Sequence, residues 1–348
     1  MVNQINSNNA KMSIGRFCGL IQADGHISFG LEKDKTIRPY IILTHTCKDR
    51  QLLENIQHWL QTVHGIPSSI EGSNRPGGSL NLKVDRQTNC KKLIDLILNE
   101  ENQKNTFLFF DGKRKDFLLV KTALDLRQKQ QKNTCLTGLE KGEIALKLAH
   151  IFKELRSNKS DIGLGPRKIS DDELKRRLTC PDKEITNQAA SLISKVEAQV
   201  QKEGAEVLEK VIQNPSTINE ALGEVIIGDL DGDGSFSISL LTHLEQKNCV
   251  PFEIVPNINV TDKKNEGTYL FSIISAAFGQ DSLTEPQKQG EGAMRLVLKK
   301  KESLLKYAFD FFEKHPPMLF KNIHRLKVLK YVLEQLKLIK GDRIKICL

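Results

Sequence analysis

Two stretches of this chain repeat one another. Phe17-Cys-Gly-Leu-Ile-Gln-Ala-Asp24-Gly25-His-Ile-Ser-Phe29 and Ile226-Ile-Gly-Asp-Leu-Asp-Gly-Asp233-Gly234-Ser-Phe236 each read as an apolar helix that ends in Asp-Gly and passes at once into an alternating strand. The repetition predicts two similar halves, each carrying one carboxylate to a common place. Within the motif, Gly19 and Ala23 stand four residues apart on one helical face, as do Gly228 and Gly232. Small side chains at that spacing let two helix backbones approach closely. The two motif helices are therefore expected to pack on each other, with Asp24 and Asp233 side by side at their ends.

The order of elements downstream of each motif repeats as well. After the first come strands at 26–33 and 37–46, a helix at 49–63, a hairpin over 65–79, a strand at 79–85 and helices at 88–99 and 114–127. After the second come strands at 235–242 and 252–261, a helix at 266–278, a hairpin region at 279–292, a strand at 293–299 and helices at 301–314 and 322–339. Thr217 and Glu220 have the spacing of a capping box opening the second motif helix, which would end at Gly234. Residues 128–215 lie between the halves, with helical stretches expected at 139–156, 170–178 and 183–213 and loop signals at Ser157–Pro166 and Pro181. The reading is α+β: two pseudo-symmetric halves, 1–127 and 216–348, joined by a long, mostly helical linker over 128–215.

The chain has 348 residues, enough for two domains with substantial cores. Its formal charge of +9 is met either by a solvated basic surface or by a polyanionic partner, most often nucleic acid. No apolar run reaches the roughly 18 residues of a membrane helix, so no membrane partner is expected. The opening residues show neither a secretory apolar region nor an Arg-rich transit pattern, which predicts a protein that stays where it is translated. Seven scattered cysteines without a Cys-x-x-Cys pair argue against a disulfide framework or zinc knuckle.

Each motif aspartate sits near a helix C-terminus, where the helix dipole disfavours negative charge. Two such carboxylates in one place repel and call for a cation. Mg²⁺ suits them: it takes oxygen ligands, keeps several waters and accepts phosphate oxygens. That set points to metal-assisted phosphodiester hydrolysis. The strands after the motifs put Ile27, Phe29, Phe236 and Ile238 on one face and Ser28, Ser235, Ser237 and Ser239 on the other. The next strands continue the polar face with Arg38, Tyr40, Thr44 and Thr46, and with Asn257, Asn259 and Thr261. Such a face, open on one side of a sheet, can reach base edges and phosphates in a groove.

The two motifs resemble those of the LAGLIDADG homing endonucleases of the monomeric, double-motif kind. The first matches at Gly19, Leu20, Ile21, Ala23, Asp24 and Gly25; the second at Gly228, Asp231, Asp233 and Gly234. The similarity covers about 12–127 and 217–340. It implies two αββαββα halves whose antiparallel sheets form a saddle over the DNA major groove. It also implies that Asp24 and Asp233 bind divalent metal, with the main-chain carbonyls of Ala23 and Gly232 as further contacts, to make a staggered double-strand break in intron homing. Basic residues before the last helix of each half would serve catalysis, Lys321 by register and Lys113 as the nearest candidate in the first half. Mg²⁺ is the expected cofactor, with Mn²⁺ a substitute and Ca²⁺ supporting binding without efficient cleavage. The expected partner is double-stranded DNA, bound by a monomer. A Lys/Asn/Ile-rich chain suits an organellar intron, mitochondrial or chloroplast; a prokaryotic cytoplasm is the other source. A different class stays open, an RNA maturase acting on its host intron, as does a DNA-binding relative without cleavage; both acids being present favours the nuclease. The run Asp229-x-Asp231-x-Asp233-Gly234 superficially resembles a calcium EF-hand loop, but Leu240 stands where its twelfth-position Glu should be.

Overall fold

The computed structural model describes residues 12–31, 37–73, 75–99, 112–133, 183–213, 220–242, 249–262, 268–278, 287–289, 293–298, 304–338 and 343–347, with short pieces between 136 and 155. The expected helix at 170–178, the loops at Ser157–Pro166 and Pro181, and Thr217 of the capping box lie outside them.

Helix α1 (Ile14–Asp24) starts where the Ser13 hydroxyl accepts the Arg16 N–H, at 3.1 Å. It stops at Gly25, which is extended (φ −83°, ψ 159°) rather than left-handed, so the chain runs from helix into strand without a turn. Gly25 is needed there because a Cβ would stand 2.6 Å from the Ile21 Cα. Strands β1 (Gly25–Leu31) and β2 (Ile37–Thr46) come next, then a short 3-10 turn, α2 (Arg50–His64), β3 (Ser69–Gly72), β4 (Ser79–Val84), α3 (Gln87–Ile97) and α4 (Gly112–Lys132). Leu52, Leu53, Ile56 and Leu60 give α2 one buried stripe, and it ends at Gly65 in the left-handed region at φ 60°.

Helix α5 (Lys183–Gln213) precedes the second motif helix, α6 (Glu220–Asp233). Then come β5 (Gly234–Thr242), β6 (Cys249–Asp262), α7 (Thr268–Phe278), β7 (Gln287–Gln289), β8 (Ala293–Leu298), α8 (Phe309–Lys314), α9 (Phe320–Leu338) and β9 (Arg343–Cys347). The two sheets have the same strand order, β1-β2-β4-β3 and β5-β6-β8-β7, and every pairing is antiparallel. Strand β9 was not foreseen; it pairs with the first residues of β6, Cys249–Glu253. The helix expected at 301–314 is a widened π turn at Leu304–Ala308 followed by α8.

Alternation decides which face is covered. Ile27, Phe29, Ile41, Leu43, Leu80, Leu82 and Val84 are buried beneath helices in the first sheet, and Phe236, Ile258, Val260, Leu296 and Leu298 in the second. One apolar core runs through both halves and includes residues of α1 and α6. Helix α5 packs on α4 and on α7, so this part of the linker braces both halves. Its glutamates meet α4 at Arg114–Glu203 and Lys115–Glu197, and Lys115 also bonds Glu154. Among the described residues no helix is long and apolar enough to cross a membrane.

Candidate metal centre and nucleic-acid interface

The geometry begins with the two motif helices. A Cβ on Gly19 would stand 2.6 Å from Asp229 N and 2.8 Å from Gly228 Cα; one on Gly228 would stand 3.0 Å from Gly19 Cα. One on Gly232 would run into the Ala23 side chain. These contacts advance together along both helices, so α1 and α6 run parallel and their C-terminal tips meet. Gly19 and Gly228 thus meet main chain against main chain, and Gly232 meets the small Ala23 side chain. At the other end, buried Arg16 pairs with Glu224 at 2.7 Å, and His315 reaches the same carboxylate at 3.0 Å. Burial pushes the Glu224 pKa up, but the His315 bond and the Arg16 charge outweigh it and hold it below the ordinary value.

At the tips, the Asp24 carboxylate lies 3.2 Å from where a Gly232 Cβ would be, one residue before Asp233. The motif aspartates therefore share one small region at the junction of the two sheets. Among the described residues no three or more His, Cys, Asp or Glu side chains gather to enclose an ion. The expected donor set is two carboxylates with the adjacent carbonyls of Ala23 and Gly232, each at the last turn of its helix. That fits a hard cation whose remaining ligands are waters and phosphate oxygens.

Both expected lysines come to this region. Lys113, half-buried near the start of α4, donates to the Gly25 carbonyl, next to Asp24. Lys321, exposed in the first turn of α9, is close enough for its charge to act on His45. His45 itself was not anticipated. It is buried, with Nδ1 4.0 Å from Asp24 and 3.8 Å from Asp49. Burial lowers its pKa most; Asp24 and Asp49 act to raise it and Lys321 to lower it. The signal for it was in the sequence: with Thr44 and Thr46 outward, strand alternation turns His45 inward.

Asp229 and Asp231 lie inside α6 and are buried, which disposes of the EF-hand resemblance. Asp231 accepts from Met318 N at 2.7 Å and from Asn322 Nδ2 at 3.1 Å. Burial raises its pKa, against the lowering effect of those bonds.

The open faces carry the residues expected to touch a groove, with local differences. Arg38 and Thr46 are exposed, and Thr46 donates to Asp49 at 2.9 Å. Tyr40 is nearly covered because its ring lies against His26, 5.6 Å between centroids. Thr44 donates to Asn81 Oδ1. The Ser28 side chain lies outside the described residues. In the second sheet, Asn259 bonds Ser235 at 3.2 Å and Asn257 bonds Ser239 at 3.1 Å. Both asparagines are buried, while Ser237 is exposed and Thr261 half-buried. They brace the serine row rather than project from it. Asn81 and Lys83 of β4 and Arg295 of β8, none of them among the expected residues, share these faces by register. Arg295 Nε donates to Asn259 Oδ1 at 3.2 Å. Alternation in Ser79-Leu-Asn-Leu-Lys-Val84 would have found the first two.

Residues 12–107 match the family described as LAGLIDADG-like domain. No curated relative matches the chain. Among solved structures, the fold is similar to the LAGLIDADG homing endonuclease I-GzeII in complex with a DNA target, at TM-score 0.62 and 18% identity over 95% of this chain and 92% of that one. The LAGLIDADG meganuclease I-AabMI bound to uncleaved DNA gives TM-score 0.61 and 15% identity over 95% and 94%. I-SmaMI bound to an uncleaved DNA target in the presence of calcium ions gives 0.62 and 16% over 93% of each.

Proposed function

We propose that the protein is a site-specific DNA endonuclease, a reading supported by the match of residues 12–107 to the LAGLIDADG-like domain family and by the similarity of the whole chain's fold to LAGLIDADG homing endonucleases. In this reading the halves are 1–127 and 216–348, with 128–215 as a brace. A monomer lays both open sheet faces along a long double-stranded target and cuts each strand once, leaving a staggered break. The observation that carries the reading is the Asp24 carboxylate lying against Gly232, beside Asp233, between two sheets that share one four-strand order.

The residues divide the work. Asp24 and Asp233, with the Ala23 and Gly232 carbonyls, would hold Mg²⁺ and place the scissile phosphates. A divalent ion held there would lower the pKa of a bound water and offset the negative charge that builds on the phosphate oxygens. Lys113 and Lys321 add positive charge where the leaving oxygens form. Arg38, Thr46 and Ser237 face the groove, with Tyr40, Thr44, Ser235, Ser239, Asn257, Asn259 and Thr261 behind or beside them, and Ser28 stands opposite Tyr40 by strand register. The composition supports an intron of an organelle as the source.

The test is selection of cut sites from a random duplex library with Mg²⁺, repeated with EDTA, Mn²⁺ and Ca²⁺. Cutting with Mg²⁺ and Mn²⁺, its loss with EDTA, and binding without efficient cutting in Ca²⁺ are expected. Asp24→Asn and Asp233→Asn should each abolish double-strand cleavage while leaving binding in place. Retained cutting by the double variant would overturn the mechanism.

A further inference from the structure

We propose, resting on the endonuclease reading, that Asp231 is a positioning residue that fixes Lys321 against the cleavage centre. Asp231, 1% exposed, is one of two buried acidic residues in α6, the other being Asp229. Its carboxylate is spent on the chain entering α9. Met318 N donates at 2.7 Å, Leu319 N lies at 3.5 Å, and Asn322 Nδ2 donates at 3.1 Å. The same Asn322 amide lies 3.4 Å from the Asp231 carbonyl. A helix start has orphan N–H groups, and a carboxylate placed there satisfies them and favours the dipole. Here the capping acid comes from 87 residues away in sequence.

Lys321 lies between the residues so held. Its long side chain is exposed, but its Cα is set relative to α6, two residues from Asp233. Its charge reaches His45, which lies 4.0 Å from Asp24. The halves therefore secure their lysines differently. Lys113 is held at its tip, by the Gly25 carbonyl. Lys321 is held at its root, by Asp231, and the first motif has Gln22 where the second has Asp231.

A plain stabilising role predicts that Asp231→Asn and Lys321→Ala act independently on cleavage. A positioning role predicts that they do not. The experiment is a double-mutant cycle on single-turnover cleavage of the selected site, with DNA affinity measured in Ca²⁺. Asp231→Asn and Lys321→Ala should each slow cutting about tenfold or more with affinity nearly unchanged, and the double variant should be no slower than Lys321→Ala alone. Multiplying effects, or wild-type cutting by Asp231→Asn, would overturn the proposal. Should Asp231→Asn not fold, Asn322→Ala takes its place in the cycle with the same expectation. A readout independent of cutting is hydrogen exchange at Met318 and Leu319. It should quicken in Asp231→Asn while α1 stays protected, and unchanged exchange there would overturn the inference. A wild-type protein that cuts no DNA refutes the endonuclease reading, and this exchange measurement then still decides whether Asp231 holds the α9 start.

Discussion

Replacing Gly19 with alanine adds one methyl group where α1 and α6 touch. The methyl would stand 2.6 Å from Asp229 N and 2.8 Å from Gly228 Cα, with the Val225 carbonyl closer still. Ordinary contact begins at 3.4 Å, so the facing helix must withdraw by at least 0.8 Å, the difference from 2.6 Å. All three obstacles are main chain, so no rotamer change relieves them. Alanine regains about 1 kcal/mol of helix propensity over glycine. Overpacking costs typically 1–3 kcal/mol and occasionally more, so the net loss of stability should be up to about 2 kcal/mol. The cost to activity should be larger, because the same withdrawal separates the tips that carry Asp24 and Asp233. A displacement near 1 Å in a catalytic constellation can cost about a hundredfold in rate. Urea unfolding gives the first quantity and single-turnover cleavage the second. Gly65→Ala is the control: it is strained at φ 60° but has nothing within 4 Å and lies away from the tips, so it should lower stability without slowing cutting. If Gly19→Ala is as stable and as fast as the wild type, the backbone-to-backbone account of this interface is wrong.

Glu224→Ala would strand the buried Arg16 charge and should cost about 3 kcal/mol in urea unfolding. Glu224 has a folded pKa below its ordinary 4.5, so its stabilisation is fully present above that value and is lost as pH falls through the lower folded value. Glu224→Gln should flatten the acid limb below pH 4.5 specifically, and an unchanged limb would refute the assignment. Burial pushes the Cys90 thiol up to about 12 and raises that of Cys18, whereas Cys47 is half-exposed. Peptide mapping after brief alkylation of native protein at pH 8 should therefore find Cys47 modified and Cys18 and Cys90 spared. Lys115→Met removes the pairs to Glu154 and Glu197 and should loosen α5 from α4. Faster hydrogen exchange over 183–213 is the expected sign, and unchanged exchange would mean apolar contacts alone hold the brace.

The parts of this fold that were legible in the sequence come from local sterics. Gly19 and Gly228 announce a close helix crossing because nothing larger fits, and alternation in 37–46 and 79–84 announces which sheet face is covered. What was illegible depends on partners distant in the chain. Asp231 reads as one acid among three in its motif until α9 arrives to receive it. Asn257 and Asn259 were placed on the correct face, but their burial comes from bonds to serines on the neighbouring strand. Strand β9 is short, and its Arg-Ile-Lys-Ile-Cys alternation means little before β6 offers an edge. Gly25 shows a subtler limit, since a glycine after a helix suggests a left-handed turn, whereas here the residue is small to clear Ile21.

The unlike upholstery of the two sheets bears on what sequence could lie across them. One floor offers Arg38, Tyr40, Asn81 and Lys83; the other offers a row of serines stiffened by asparagines and Arg295. A perfectly palindromic site would present the same base edges to both and could satisfy one floor alone. The preferred target should therefore be asymmetric about its midpoint, and exchanging its left and right arms should be tolerated poorly even though the backbone scaffold is nearly twofold.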